Sequence, residues 1–268
     1  THTLSDIEFL EADTGFACGR GGQVLQTADG GRTWTNYGNP IIDPCGDLAT
    51  NWSLKPMSTQ VMFVVGLWFA KYTIDGGQTW LDMDLCDVKP SGTGTLYDGP
   101  ALAPNDFHFY AIEIAGTIGD FQGVMAAEYD NAGVHQGVVF HTDTAEAGSS
   151  VGSKWRLTLN DLDESNALGV PPKMKEPWGV AYARGSTASS AVAYVAGGNG
   201  ANQPGRVYSS PNGGKTWSPE VDLNQTAYSV TAELGITVVG AYSGRVWTRD
   251  GGGNWSVQVL PGPAGGIL

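Results

Sequence analysis

Positive charge is scarce in this chain. Fourteen lysines and arginines face 27 aspartates and glutamates over 268 residues, a formal net charge of −13. A surface that binds polyanions needs basic residues to displace counterions, so nucleic acid and anionic membrane surfaces are excluded as partners. Long apolar runs are missing as well. None approaches the roughly 18 residues of a membrane-crossing helix, so no membrane insertion is expected. Cysteines number three and histidines four. There is no H-x-E with C-x-x-C, no G-x-S-x-G and no strand-to-helix phosphate loop, so no metal or cofactor is expected. GRGGQ (Gly19 to Gln23) is glycine-rich but reads as a hairpin turn. Long amphipathic helical patterns are also absent, which leaves an all-β chain.

Glycine and tryptophan are abundant instead, at 39 and nine residues. Both concentrate in one octapeptide used four times: TADGGRTW (Thr27 to Trp34), TIDGGQTW (Thr73 to Trp80), SPNGGKTW (Ser210 to Trp217) and TRDGGGNW (Thr248 to Trp255). Each copy joins two apolar, β-rich runs and so reads as a hairpin turn. The Asp accepts bonds from the N–H groups of its own turn, and the glycines supply positive φ. The Trp opens the next strand; where its ring is buried, truncation to Ala costs roughly 3–5 kcal/mol. No copy carries more than one acidic group, too few for calcium.

The pattern S/T-x-D-x-G-x-T-W resembles the Asp-box of the BNR-repeat β-propellers, which include sialidases, xyloglucan hydrolases, sortilin-like receptors and photosystem II stability/assembly factors. Thr27, Asp29, Gly31, Thr33 and Trp34 match every fixed position, as do Thr73, Asp75, Gly77, Thr79 and Trp80. The third copy departs at Asn212 and the fourth at Asn254; their tryptophans are Trp217 and Trp255, and the fourth keeps Asp250. In cadence the opening DIEFLEADTGFACGRGGQVLQTADGGRTW is similar to the assembly-factor type. The resemblance implies a structural turn on the face away from the site.

In chain order the strand signals group in fours. This predicts a single β-propeller domain over residues 1–268 with blades at approximately 1–38, 49–84, 96–160, 176–222 and 226–260. Five four-stranded antiparallel blades account for the chain, or six if Phe107 to Ile114 forms one of its own. The first repeat begins on its own first strand and the last ends on its own fourth, so the ring is expected to close by packing between blades. Asp84 to Asn105 reads as loop. Trp155 stands where a degenerate turn would end. The chain is expected to be a monomer.

Cys45 and Cys86 follow equivalent strands in successive repeats and form a disulfide candidate, whose closure would be worth roughly 4 kcal/mol and would imply an oxidising compartment. Asn51, Asn224 and Asn254 head glycosylation sequons. The chain begins at Thr1, which fits a processed N-terminus. Together these point to a secreted, periplasmic or organelle-lumen setting.

The long insertions fall on the face opposite the octapeptide turns, and a rigid scaffold usually carries function on such loops. Aligning Ile7, Leu54, Val180 and Val230 places Trp52, Trp178 and Tyr228 around one mouth, with Ser5 in the first blade. Those aromatics either stack on a ligand or pack between blades. Trp68 sits in an exposed turn. Arg20, Arg206 and Arg245 are anion candidates or scaffold residues; without an arginine motif before the first box, sialidase activity is not expected. Carboxylates on that face include Asp43, Asp47, Asp87, Asp98, Asp161, Asp163, Glu164 and Glu176. Asp98, Glu176, His108 and His135 are acid–base candidates, while His141, borne on a strand beside the degenerate turn, reads as structural. Two functions stay open: a binding or assembly module for a protein or carbohydrate partner, and a secreted glycoside hydrolase or lyase.

Overall fold

Each apolar run becomes a strand, and the strands associate in chain order. In this computed structural model the described residues are 3–43, 45–86, 107–131, 134–144, 154–161, 173–200, 203–233 and 235–261. The first sheet is β1 (Leu4–Phe9), β2 (Gly15–Gly19), β3 (Val24–Thr27) and β4 (Thr35–Asn36). The second is β5 (Asn51–Pro56), β6 (Met62–Gly66), β7 (Phe69–Thr73) and β8 (Leu81–Asp82). The short β9 (Asp84–Cys86) leaves this sheet and pairs in parallel with the outer strand of the third. That third sheet is β10 (Phe107–Thr117), β11 (Asp120–Asn131), β12 (Val134–Asp143) and β13 (Lys154–Asn160). The fourth is β14 (Glu176–Tyr182), β15 (Ala193–Gly198), β16 (Gly205–Ser210) and β17 (Ser218–Leu223). The fifth is β18 (Ala227–Glu233), β19 (Ile236–Ala241), β20 (Arg245–Arg249) and β21 (Trp255–Val259).

Among the described residues, apart from β9, every strand pairs antiparallel with its neighbours in sequence within its sheet. The first strands β1, β5, β10, β14 and β18 surround one central cavity. The arrangement is that of a β-propeller. The loop reading of Asp84 to Asn105 needs correction at its start, since β9 adds a fifth strand to the third sheet. Leu85 is buried there, and it drops into the apolar seam between the second and third sheets.

Second strands of the first, second and fourth sheets are covered on both faces: GFACG, MFVVG and AYVAGG are buried throughout. Side chains from facing sheets interleave into four apolar clusters, one at each junction from the first sheet to the fifth. Trp155, fully buried, closes the cluster between the second and third sheets against Phe63. Among the described residues no such cluster joins the fifth sheet to the first. Leu4, Ile7 and Phe9 on one side and Ile236, Val257 and Val259 on the other stay exposed. Closure by sheet packing is therefore not made at that seam, although β1 and β18 both line the cavity.

The four octapeptides are the third-to-fourth turns. In the first, Thr27 Oγ1–H donates to Asp29 Oδ1 at 2.8 Å, and Thr27 Oγ1 accepts from Gly31 N–H at 2.9 Å. Asp29 also accepts from Thr33 N–H and Thr33 Oγ1–H at 2.8 and 2.7 Å. With the Thr33 and Thr27 bonds all favouring the anion, its carboxyl is held down at about 2. Gly31 and Gly77 sit at φ 88° and 77°, where a β-carbon is disfavoured. The second and third copies repeat the hydroxyl and backbone N–H bonds, with Asn212 Oδ1 replacing the carboxylate; in the third, Asn212 Nδ2–H donates to Thr216 Oγ1, the reverse of the Thr33 hydroxyl bond. Only the third copy's indole is buried, Trp217 at 8% exposure; Trp34, Trp80 and Trp255 are half-buried.

Two further expectations change. Cys45 is a free, exposed thiol, so the Cys45–Cys86 disulfide is not formed. Asp43 Oδ1 holds Cys45 in a local turn by accepting its N–H, while Cys86 travels with β9 to the edge of the third sheet; the two positions cease to be equivalent. Asn51 is fully buried and its amide donates to the Gln23 carbonyl, so that sequon is closed to modification in the folded protein; Asn224 and Asn254 are exposed. Among the described residues no helix is long and apolar enough to cross a membrane.

Candidate functional site: an aromatic mouth on the central cavity

All five first strands carry an irregularity at the same height. Pairing skips one residue between Leu4 and Asp6, Asn51 and Ser53, Phe109 and Ala111, and Ala227 and Ser229. Between Glu176 and Gly179 it advances three residues against two on β15. The extra residues are Ser5, Trp52, Tyr110 and Tyr228, with Trp178 in the fourth strand. A bulge bends its strand and re-aims the side chain it releases. Repeated five times around one axis, it turns these side chains onto the cavity, of about 510 Å³, which all five line.

The rings form a continuous series. Trp52 stacks on Tyr110 at 4.8 Å and 16°; Tyr110 meets Trp178 at 4.2 Å; Trp178 meets Tyr228 edge-on at 5.8 Å. On the other side His108 lies 6.3 Å from Trp52 and 6.2 Å from Trp68. Trp68 occupies the β6–β7 turn at φ 66°, a left-handed conformation that a bulky side chain adopts only under strain. Its N–H donates to the Phe107 carbonyl, so the strain is held by a bond to the next sheet.

Acidic groups sit beside this series. Glu128 on β11 accepts from the Tyr110 hydroxyl at 2.6 Å and contacts His135 Nδ1 at 2.8 Å and His108 Nδ1 at 3.5 Å. Burial pushes its carboxyl up, but His108, Tyr110 and His135 outweigh burial and leave it below its ordinary value. Asp130 lies 3.5–3.6 Å from both histidines. Glu176 Oε2 accepts the Trp178 indole N–H at 3.2 Å. Burial, with the Glu128 charge adding to it, holds Glu176 above its usual range. Deeper in, Lys55 joins Glu113 at 2.8 Å and Glu8 at 3.6 Å. A second cavity of about 370 Å³ shares Glu113, Val180 and Val230 with the first and opens toward Arg184 and Glu233, at the end where the octapeptide turns lie. Among the described residues no cluster of His, Cys, Asp and Glu is arranged to hold a metal ion.

Of the residues singled out in the sequence, Trp52, Trp178 and Tyr228 line this mouth, and Trp68, Glu176 and His135 flank it. Arg20 and Arg245 do not line the cavity, and neither does Arg206. Arg206 is buried, its Nε donating to Asp222 at 2.7 Å and its Nη1 to Asp161 at 3.5 Å, so its role is structural. Asp161 likewise accepts from Tyr208 and from the Lys173 and Met174 amides. Asp98, Asp87, Asp163 and Glu164 lie outside the described residues.

Sequence reasoning named His108 as an acid–base candidate and missed Tyr110 and Glu128. The signal for Tyr110 was present: Ile112 aligns with Ile7, Leu54, Val180 and Val230, and Tyr110 stands two residues before it, as Trp52 stands before Leu54. Nothing local marks Glu128, which reaches the mouth only because β11 pairs with β10.

No family model matches the chain, and no curated sequence matches it. Solved structures do. The chain is similar to a YCF48 solved with a D1 peptide, at 15% identity and TM-score 0.57 over 97% of this chain and 67% of that one. It is also similar to regucalcin, a calcium-binding protein from Agrobacterium tumefaciens str. C58, at 10% identity and TM-score 0.59 over 97% and 75% of the two chains. A chain of a nidogen/laminin complex matches at 8% identity and TM-score 0.56, over 96% and 80%. At these identities the likeness establishes the propeller fold.

Proposed function

We propose that this chain is a binding or assembly module that takes its partner at the aromatic mouth, on the face opposite the glycine turns. The observation that carries this reading is the five-fold bulge. An irregularity placed at one height in every first strand costs ladder bonds each time, and in four of the five it brings an aromatic ring onto one cavity. The strained Trp68 adds to it, since such strain is stored where function uses it. Two of the similar folds were solved with protein or peptide partners, one with a D1 peptide and one within a nidogen/laminin complex, which favours a protein partner over a carbohydrate. The octapeptides then act as Asp-box turns that pin the opposite rim. A monomer in a secreted, periplasmic or lumenal setting fits this reading.

Peptide and glycan arrays probed with the wild-type protein test it. Trp68→Gly and Tyr228→Ser remove exposed rings and are expected to weaken any specific hit at least about tenfold while the protein unfolds as the wild type does. A hit that both variants retain would remove the mouth from consideration.

A second reading, hydrolysis of a glycoside, rests on one observation: Glu176 is held above and Glu128 below the ordinary carboxyl range, the division of an acid from a base. Polysaccharide turnover abolished by both Glu176→Gln and Glu128→Gln would support it; turnover that survives either change would end it.

A further inference from the structure

We propose that the mouth selects a basic side chain, lysine or arginine, presented by an extended peptide segment of the partner. This rests on the binding reading above and narrows it to one chemistry.

Three features converge on a cation. First, Trp52, Tyr110, Trp178 and Tyr228 line one cavity, and aromatic faces attract a positive charge, more strongly as the site sheds water. Second, the cavity is acidic through its depth. Asp6, Glu8 and Glu113 line it, and Glu176, Glu128 and Asp130 flank its mouth. Lys55, which lines the adjoining second cavity, is already shared between Glu113 and Glu8, and neither lysine nor arginine lines this first cavity. Third, Glu176 has an indole N–H as its hydrogen-bonding partner, and burial leaves its carboxyl raised. A cation arriving over Trp178 would relieve that penalty, and a neutral ligand would not.

A peptide accounts for the rest of the geometry. About 510 Å³ exceeds the needs of a small free cation and suits a side chain with flanking backbone. The ring series continues past the cavity edge to His108 and the exposed Trp68, a wall along which a chain can lie. The −13 charge of the whole molecule steers a basic segment toward it at low ionic strength.

The test follows tryptophan fluorescence and heat of binding with capped pentapeptides of glycine whose central residue is lysine, arginine, norleucine or glutamate. Tetramethylammonium serves as the free cation and xylan oligosaccharides as the neutral sugar. The lysine and arginine peptides are expected to bind about tenfold more tightly than the norleucine peptide, which has lysine's apolar stem without its charge. The preference should shrink as salt rises and should narrow in Glu176→Gln, a change of nearly the same shape. Equal binding of lysine and norleucine peptides overturns the cation inference and leaves the mouth as a binding site. Tetramethylammonium bound as tightly as the basic peptides overturns the peptide source, and tighter binding of the xylan oligosaccharide overturns the class of partner. If the peptides bind but Tyr228→Ser and Trp68→Gly do not weaken them, the mouth reading itself fails. No binding of either basic peptide at about 5 mM overturns the proposal as well.

Discussion

His141, on β12, is 1% exposed and lies beside the Lys215–Asp143 ion pair. Burial lowers its affinity for a proton to a value of about 4; Asp143 works against that and Lys215 with it. A base whose folded value lies below its unfolded value of about 6.5 takes up its proton in the unfolded chain first. The native state therefore keeps the full benefit above about pH 6.5 and loses it as pH falls toward 4. The loss should reach the order of 3 kcal/mol at the acid end. Urea unfolding from pH 7.5 to 4 should show this slope, and His141→Gln should flatten it. At this scale the sequence was partly readable. His141 was recognisable as strand-borne and structural, and Trp52, Trp178 and Tyr228 as equivalent. Glu128 was not, because a residue 18 positions from Tyr110 becomes its partner only when two strands pair.

At the scale of elements, the first three turns share a hydrogen-bond plan but not a burial. Trp217 is wedged between the third and fourth sheets, its indole N–H donating to Thr158 Oγ1, whereas Trp34 bonds within its own turn, to the Gly31 carbonyl. Trp217→Ala should cost roughly 3–5 kcal/mol and Trp34→Ala clearly less, about 1–2 kcal/mol, in paired denaturant titrations. Equal costs would show that the turn, not the seam, sets the value of the ring. The octapeptides announced themselves because a hairpin closes through residues adjacent in sequence. The bulges did not, since an extra residue in a strand is defined by its partner's count. The same holds for β9, three residues whose strand character comes from β13.

At the scale of the whole molecule, neighbouring sheets are tied by apolar seams and, between the third and fourth, by one buried polar knot. Asp161 after β13 accepts from Tyr208 Oη–H at 2.7 Å and meets Arg206 at 3.5 Å. Lys173 and Arg206 meet again on Asp222, at 2.6 and 2.7 Å. Removing one member strands buried charge, so Asp161→Ala should cost roughly 3–5 kcal/mol. Lys71→Ala, which breaks the Lys71–Asp82 pair at the exposed Asp82, should cost under about 1 kcal/mol. Thermal unfolding of the two variants checks the contrast. The sequence by itself determined the all-β class, the four repeated turns, the grouping of strands by fours and three of the four aromatics at the mouth. Each follows from residues near one another along the chain, where local sterics and alternation act. Tertiary structure alone decided which indole is buried, that Cys45 stays free, that among the described residues no apolar seam joins the last sheet to the first, and that Glu128 meets His108 and Tyr110 at the mouth. Those depend on which sheet lies against which, and that is settled by the packing of side chains far apart in the chain.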